Sequence, residues 1–315
     1  MPYAIEVEGL TKTYGQDQRK VKPVVAVDQI SFQVWEGEIF GFLGPNGAGK
    51  TTTMRMLTGL SRPTAGRANI LGFDLIHEVS RIKKRIGVVP ERSNLYDELT
   101  AYGNLEFAMQ LYGVPRAEWR PRAEELLERF RLSEKRDISF AKLSRGMKRA
   151  LTIAAALAHH PPLVFLDEPT TGLDVMNARS LRKMIAGLRD GGVTVFLTTH
   201  YLEEAERLCN RVAIIVNGKI VALDTVDGLK KTAHNTNIVE ITFESESGGV
   251  ETRRFEDRDV AKSVQTGLAQ ANGRRVLAVN TLRPTLEDVF VKLTGLSREV
   301  MLAEKAGKEP GNAGG

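Results

Sequence analysis

The chain has 315 residues, 42% of them hydrophobic and 26% charged, with a formal net charge of +5. That length is comfortable for two domains with a sizeable core, and so mild a charge gives little support to nucleic-acid binding, so no nucleic-acid partner is expected. No apolar run approaches the roughly eighteen residues that cross a bilayer, the single Cys209 excludes an internal disulfide, and the first residues lack the basic and apolar regions of a secretory signal, so a cytosolic location is expected.

Residues 4 to 8 and 30 to 35 alternate apolar and polar side chains like strands of a half-exposed antiparallel sheet, punctuated by Gly9, Gly15 and Gly37. Tyr14, just after the first of these, is an aromatic that can stack on a base or simply pack. Gln16 to Pro23, with Arg19, Lys20 and Lys22, reads as a solvated hairpin tip. Glu38 to Thr52 then runs from an apolar strand through a glycine-rich bend into a helix carrying Met54, Met56 and Leu57. Gly44, the intervening Pro45, Asn46, Gly47 and Ala48, then Gly49-Lys50-Thr51 fit the phosphate-loop pattern G-x-x-x-x-G-K-[ST], in which glycines let backbone N–H groups close around phosphates. The helix that starts there adds its positive end. Lys50 is suited to the β- and γ-phosphates and the Thr51 hydroxyl to Mg²⁺, so ATP with Mg²⁺ is the expected ligand.

Leu60 to Gly72 reads as turn-rich, and Arg85 to Pro90 as a short buried strand leading into Glu91. Thr100 is a plausible N-cap for a helix over Ala101 to Tyr112, and Arg116 to Phe130 places Leu126, Leu127 and Phe130 on one helical face. A further helix opens at Leu143-Ser144-Arg145-Gly146-Met147-Lys148-Arg149 and runs through small apolar residues to Ala158. Leu163 to Glu168 is an apolar run ending in two carboxylates, the form of a parallel strand delivering acids to its carboxyl edge, where ligands bind. Asp167 is suited to bind Mg²⁺ directly or through water, and Glu168 to polarise the water that attacks the γ-phosphate. A second such strand, Val193 to Thr199, ends at His200, which at this edge is placed to bond the γ-phosphate. Leu208 to Gly218 adds a strand and turn, closing a first domain near Thr225.

From Asn237 the texture changes to a second, smaller α/β domain. Ile238 to Phe243 alternates, Gly248-Gly249 turns, Val260 to Ala271 has helical spacing, and Val276 to Thr281 reads as a strand. Thr285-Leu-Glu-Asp288 has the form of a capping box for a helix that Gly295 stops. The glycine-rich residues 307 to 315 are expected to be disordered.

Taken in order, these pieces resemble the nucleotide-binding subunit of an ATP-binding cassette (ABC) transporter, over residues 4 to about 225. The resemblance implies an α/β fold: a P-loop NTPase core of the ABC ATPase type, its mixed sheet flanked by helices, with an antiparallel β subdomain and a helical subdomain at about 92–160. A linker at 226–236, a small C-terminal α/β domain at 237–300 and a tail at 301–315 would complete the chain. It implies that Gly44 to Thr51 is the Walker A loop, Leu163 to Asp167 the Walker B strand, Glu168 the catalytic base, His200 the switch histidine and Lys50 a catalytic cation. Tyr14 becomes the adenine-stacking aromatic, and Gly44, Pro45, Asn46, Gly47, Ala48, Gly49, Lys50, Thr51 and Thr52 the ATP-contacting loop. Thr51, Glu91 and Asp167 are the implied Mg²⁺ residues; Glu91 stands where the family usually has a glutamine that hinges the helical subdomain on the core.

Thr171-Gly-Leu-Asp174 resembles the D-loop, and Leu143 to Met147 occupies the place of the family signature, usually Leu-Ser-Gly-Gly-Gln. In the family the signature serves the opposite subunit, so Ser144, Gly146 and Asp174 would contact ATP held by a second copy. Arg145 and Met147 depart from the usual Gly and Gln. Arg283 to Gly295 resembles the tail of bacterial drug- and antibiotic-exporter ATPases of the daunorubicin-resistance type. The implied function is an ATPase subunit that dimerises on ATP and powers export through a separate polytopic membrane permease, which would hold it at the cytoplasmic face of the membrane. The helical region from Leu95 to Phe130 is the expected docking surface for that permease, with Leu95, Tyr96, Leu99 and Tyr102 as its anchors; the alternative is that these residues merely pack the subdomain. The alternatives are a soluble ABC ATPase acting on nucleic acid or ribosomes, which would insert a long coiled coil or carry two cassettes, and a nucleotide-gated regulatory module, which intact Lys50, Asp167, Glu168 and His200 do not suit.

Overall fold

The computed structural model describes residues 2–15, 22–233, 237–245, 249–257, 259–271, 273–282 and 284–296. They divide into two compact units, the first running to Leu223 and the second starting at Asp224.

The first unit opens with β1 (Tyr3–Tyr14) and β2 (Val24–Trp35), paired antiparallel. Alternation drives the pairing: in β2, Ile30, Phe32 and Val34 are buried while Ser31 and Gln33 face solvent. Next, β3 (Ile39–Leu43) feeds the glycine-rich loop and α1 (Lys50–Leu57). β4 (Ala65–Ile70) pairs with β1, and β5 (Phe73–Asp74) pairs with β4, completing a four-stranded sheet in the order β2-β1-β4-β5. Leu60 to Gly72 is therefore not all turn, as the sequence suggested. Ala65-Gly-Arg-Ala-Asn-Ile70 has low strand propensity and buries only Ala68 and Ile70, but the ladder to β1 overrides local preference.

After α2 (Val79–Lys83) and β6 (Ile86–Val89) comes the helical region: α3 (Ala101–Leu111), α4 (Arg116–Arg129) and α5 (Arg145–Ala156). Thr100 caps α3, its hydroxyl accepting from the Gly103 N–H, and Ser144 caps α5. The α4 face carrying Ala123, Leu126 and Leu127 is buried. The chain then returns through β7 (Leu163–Asp167), α6 (Val175–Asp190), β8 (Thr194–Thr199), α7 (Leu202–Leu208), β9 (Arg211–Val216) and β10 (Lys219–Thr225). These strands form a six-stranded sheet in the order β10-β9-β3-β8-β7-β6. From β9 to β6 neighbouring strands are parallel. Every residue of β3, β7 and β8 is buried, which is why they read as continuous apolar runs. The sequence reading did not extend to β10; Asn217 and Gly218, with φ of 49° and 79°, make the two-residue turn that folds it back on β9.

A stack fastens the end of α3 to this sheet. The Tyr112 ring lies parallel to His159, centroids 3.6 Å apart, and a His159 ring nitrogen is 3.2 Å from the Ile86 carbonyl of β6. A carbonyl only accepts, so that nitrogen, Nε2, carries the proton. Burial pushes His159 from its ordinary 6.5 down to about 4, and Nδ1 is buried without a hydrogen-bond partner, so a second proton would leave an unshared charge. The unfolded chain binds this proton near pH 6.5 and the folded chain only near 4, so folding loses stability as pH falls through that window. His159→Phe keeps the stack and removes the titration. Denaturant midpoints at pH 7 and pH 5 should therefore differ less in the variant than in the wild type; equal differences would refute this account.

The second unit comprises α8 (Val226–Ala233), β11 (Asn237–Glu244), β12 (Val250–Asp257), α9 (Val260–Ala269), β13 (Val276–Leu282) and α10 (Leu286–Thr294). Its antiparallel sheet has the order β12-β11-β13, with Val239, Ile241 and Phe243 at the core. Thr285 and Asp288 form the capping box of α10, and Gly295, with φ of 67°, ends it. The 226–236 linker expectation is corrected: residues 226–233 are helical because α8 buries Val226 and Leu229, and Lys292 of α10 donates to the Thr232 carbonyl at 2.7 Å. Most of the expected hairpin tip, Gly248 of the expected turn, Arg283 and the tail lie outside the described residues.

Candidate active site

The parallel ladder fixes what meets at the carboxyl edge. Leu43 of β3 lies beside Thr199 of β8, and Thr198 lies beside Asp167 of β7, so the glycine-rich loop, the two acids and His200 leave neighbouring strand ends. The loop is pinned where Gly44 N–H donates to the Thr199 carbonyl at 3.3 Å and Gly218 N–H donates to the Ala48 carbonyl at 2.9 Å. Gly49 has φ of 109°, and a Cβ there would lie 2.6 Å from the Ala26 carbonyl oxygen, so only glycine fits. α1 then begins with no side-chain cap and no acid in its first turn, leaving its positive end free for an anion.

Lys50 is only 5% exposed. Its Nζ donates to the carbonyls of Gly44 at 2.7 Å and Pro45 at 3.2 Å, and stands 3.2 Å from Glu168 Oε1. Thr51 Oγ1 is 3.5 Å from Asp167 Oδ1, which also accepts from Thr198 Oγ1 at 2.5 Å. Burial raises the Asp167 carboxyl above its usual range. Glu168 has φ of 47°, an unfavourable conformation held where its N–H donates at 3.1 Å to both the carbonyl and the hydroxyl of Thr198. Its Oε2 accepts from Thr171 Oγ1 at 3.2 Å and is 2.6 Å from His200 Nδ1. Burial pushes the Glu168 carboxyl up, but the His200 bond and the Lys50 charge outweigh it and the net shift is downward. Glu168 is thus ionised at neutral pH and can only accept, so His200 Nδ1 carries the proton between them.

Lys50, Thr51, Asp167, Glu168 and His200 are therefore brought together. Other sequence candidates stand apart from this cluster. Asn46 and Gly47 form the exposed crest of the loop, Pro45 meets the cluster only through its carbonyl, and Thr52 is half-buried on α1. Tyr14 is 43% exposed, with Lys12 Nζ 5.1 Å from its ring centroid. Glu91 is exposed, and it is its carbonyl that makes a contact, accepting from Arg149 at 3.2 Å. Ser144, Gly146 and Asp174 belong to a separate cluster: Arg145 Nη1 donates to the Gly172 carbonyl at 2.8 Å, Asp174 accepts from the Asn177 N–H at 2.9 Å, and a Cβ on Gly146 would lie 2.7 Å from Asn177 Oδ1. Sequence reasoning gave no role to Thr198 or Arg149, and named Thr171 only as the start of the D-loop. The register of β7 on β8 would have pointed to Thr198, which sits opposite Asp167.

Known proteins resemble this chain in sequence and fold. The sequence model of the ABC transporter family matches residues 27–171. Daunorubicin resistance ATP-binding protein DrrA2 of Streptomyces coeruleorubidus is 36% identical, over 96% of this chain and 99% of its own length. The chain belongs to the ABC transporter family, as an ATP-binding protein. This ABC ATPase is also 38% identical to the Nod factor export ATP-binding protein I of Ralstonia nicotianae, over 92% of the chain and 94% of that protein. The dimeric post-hydrolysis structure of the ATP-binding cassette MJ0796 with ADP and Pi superposes with a TM-score of 0.63 at 27% identity, over 70% of this chain and 98% of that one. The fold is that of an ABC ATPase, a family of ATP-hydrolysing cassettes. No described helix is long and apolar enough to cross a membrane.

Proposed function

We propose that this chain is the motor of an exporter: it binds ATP with Mg²⁺, pairs with a second copy across the nucleotide, and drives a separate polytopic permease from the cytoplasmic face of the membrane. The observation that carries the reading is the connected set Lys50–Glu168–His200 beside Thr51 and Asp167. Glu168 is the general base, kept ionised and oriented by His200 and Thr171. Lys50 is the cation for the β- and γ-phosphates, received by the glycine-rich loop and the uncapped start of α1. Thr51 and Asp167 fit Mg²⁺, because a hydroxyl and a carboxylate are hard oxygen donors and leave the remaining positions to phosphate and water. Bound there, the ion would offset phosphate charge; Glu91 is the third residue assigned to it.

The separate Ser144–Gly146–Asp174 cluster supports pairing, since nothing in it serves the chain's own Lys50, and the similar cassette with ADP and Pi is a dimer. Export is supported by the names of two relatives, one of daunorubicin resistance and one of Nod factor export. The test is to measure ATPase activity per molecule of purified chain over a wide dilution series. Pairing requires specific activity to fall on dilution and to recover when the permease is co-reconstituted; activity indifferent to both would overturn the reading.

For docking, we favour Tyr96 among the expected anchors. Leu95, Leu99 and Tyr102 are partly buried, whereas Tyr96 is 50% exposed and meets Phe107, itself 39% exposed, edge to face at 4.8 Å. Buried Asn104 holds the Tyr96 backbone by bonds to its N–H and carbonyl, so the aromatic pair is presented rigidly. Tyr96→Glu is expected to abolish co-purification with the permease while leaving ATP affinity within about twofold. A complex that survives places docking elsewhere.

A further inference from the structure

Arg149 lies on α5, one turn beyond the capping Ser144, and is 6% exposed. It has no carboxylate partner in an ion pair among the described residues. Its guanidinium instead donates to four main-chain carbonyls: Nε to Pro169 at 2.9 Å, Nη2 to Asp167 at 2.6 Å, and Nη1 to both Pro90 and Glu91. Two of these carbonyls follow β6, where the chain leaves the sheet for the helical region. The other two flank Glu168, the residue held at φ of 47° immediately before a proline, a conformation that both its side chain and Pro169 disfavour. Thr152, nearly one turn further along α5, adds a 2.7 Å bond between its hydroxyl and that of Ser93, so the same helix face grips the segment after β6 twice.

We propose that Arg149 is a positioning residue that holds the strained backbone of Glu168 from both sides and ties it to the Pro90–Glu91 segment, so that a shift of the helical region is felt at the base. The guanidinium suits this task because its planar fork can reach several carbonyls at fixed angles, which a lysine ammonium cannot. Burial lowers Arg149 to about 10, which still leaves it charged at neutral pH, and the carbonyl dipoles together with Asp167, Glu204, Glu91 and Glu168 balance that charge. Arg149 does not touch the reacting atoms; it acts through Glu168, and the inference therefore rests on reading Glu168 as the base.

The test is Arg149→Lys in the full chain, alone and combined with Glu168→Gln. Arg149→Lys keeps a cation and loses the fork. Turnover is expected to fall on the order of tenfold to a hundredfold, the scale of a misplaced catalytic group, while the Kd for ATP stays within about twofold and the thermal midpoint confirms a folded protein. In the Glu168→Gln background the same change should reduce turnover no further, because the group that Arg149 positions is already disabled. Hydrogen exchange should speed up at both 90–93 and 168–171. If Arg149→Lys lowers ATP affinity and turnover together, or multiplies with Glu168→Gln, the proposal fails. If Glu168→Gln itself retains turnover, the reading of the base fails first, whatever Arg149 does. Should Arg149→Lys not fold, Arg149→Gln, which keeps an amide donor, is put through the same cycle and judged by the same outcomes.

Discussion

Glu168→Gln will bind ATP as the wild type does and hydrolyse it about 10²–10⁴ times more slowly, a barrier increase of about 2.7–5.4 kcal/mol. The amide occupies the same volume and its oxygen can still accept from His200 Nδ1, so the 2.6 Å bond that orients the side chain has a replacement. What is lost is the proton-accepting charge. Lys50 loses its anionic partner at 3.2 Å, which leaves it no worse disposed toward phosphate. Binding and turnover should therefore separate, and ATP should hold two copies together because the step that releases them no longer occurs. Single-turnover hydrolysis and size-exclusion chromatography with ATP check both halves; near-normal hydrolysis would remove Glu168 from its role.

The second large effect is on stability. Phe196 on β8 is fully buried, and its ring centroid lies 5.5–6.1 Å from those of Phe32, Phe40, Phe42 and Phe165. That cluster joins β2 of the antiparallel sheet to β3, β8 and β7 of the parallel one. Phe196→Ala removes a ring with contacts on all sides, and flanking rings on separate strands cannot collapse into the space, so a loss of about 3–5 kcal/mol is expected. Against a typical total of about 5–15 kcal/mol this is severe. Both tryptophans, Trp35 and Trp119, lie in the first unit, so their fluorescence follows that unit through a denaturant titration. The midpoint should drop with the slope unchanged, and a loss under about 1 kcal/mol would show that the rings do close up.

What could be read from the sequence was what neighbouring residues decide together. The phosphate loop is a local pattern because its glycines, its lysine and its hydroxyl act within one turn of chain, and the acids at the end of Leu163 to Asp167 announce themselves because a strand buried on both faces is apolar until it reaches its edge. The hydroxyls that hold those acids were not legible. Thr198 becomes a partner of Asp167 and Glu168 only through the register of β8 on β7. Arg149 was given no role, because its acceptors are carbonyls, which no sequence displays. β4 and α8 were missed for a related reason: each buries two apolar residues, and a neighbour supplies the rest of the stability.

The partners of Arg149 also bear on how this position can change by mutation. Lys50 and Glu168 meet through their side chains, so a substitution at one changes the partner of the other. Every acceptor of Arg149 is main chain, present whatever residue stands at 90, 91, 167 or 169. The side chains at 90, 91, 167 and 169 therefore do not supply these four bonds, and an arginine lost at 149 leaves a defect that a new side chain at those positions does not directly repair.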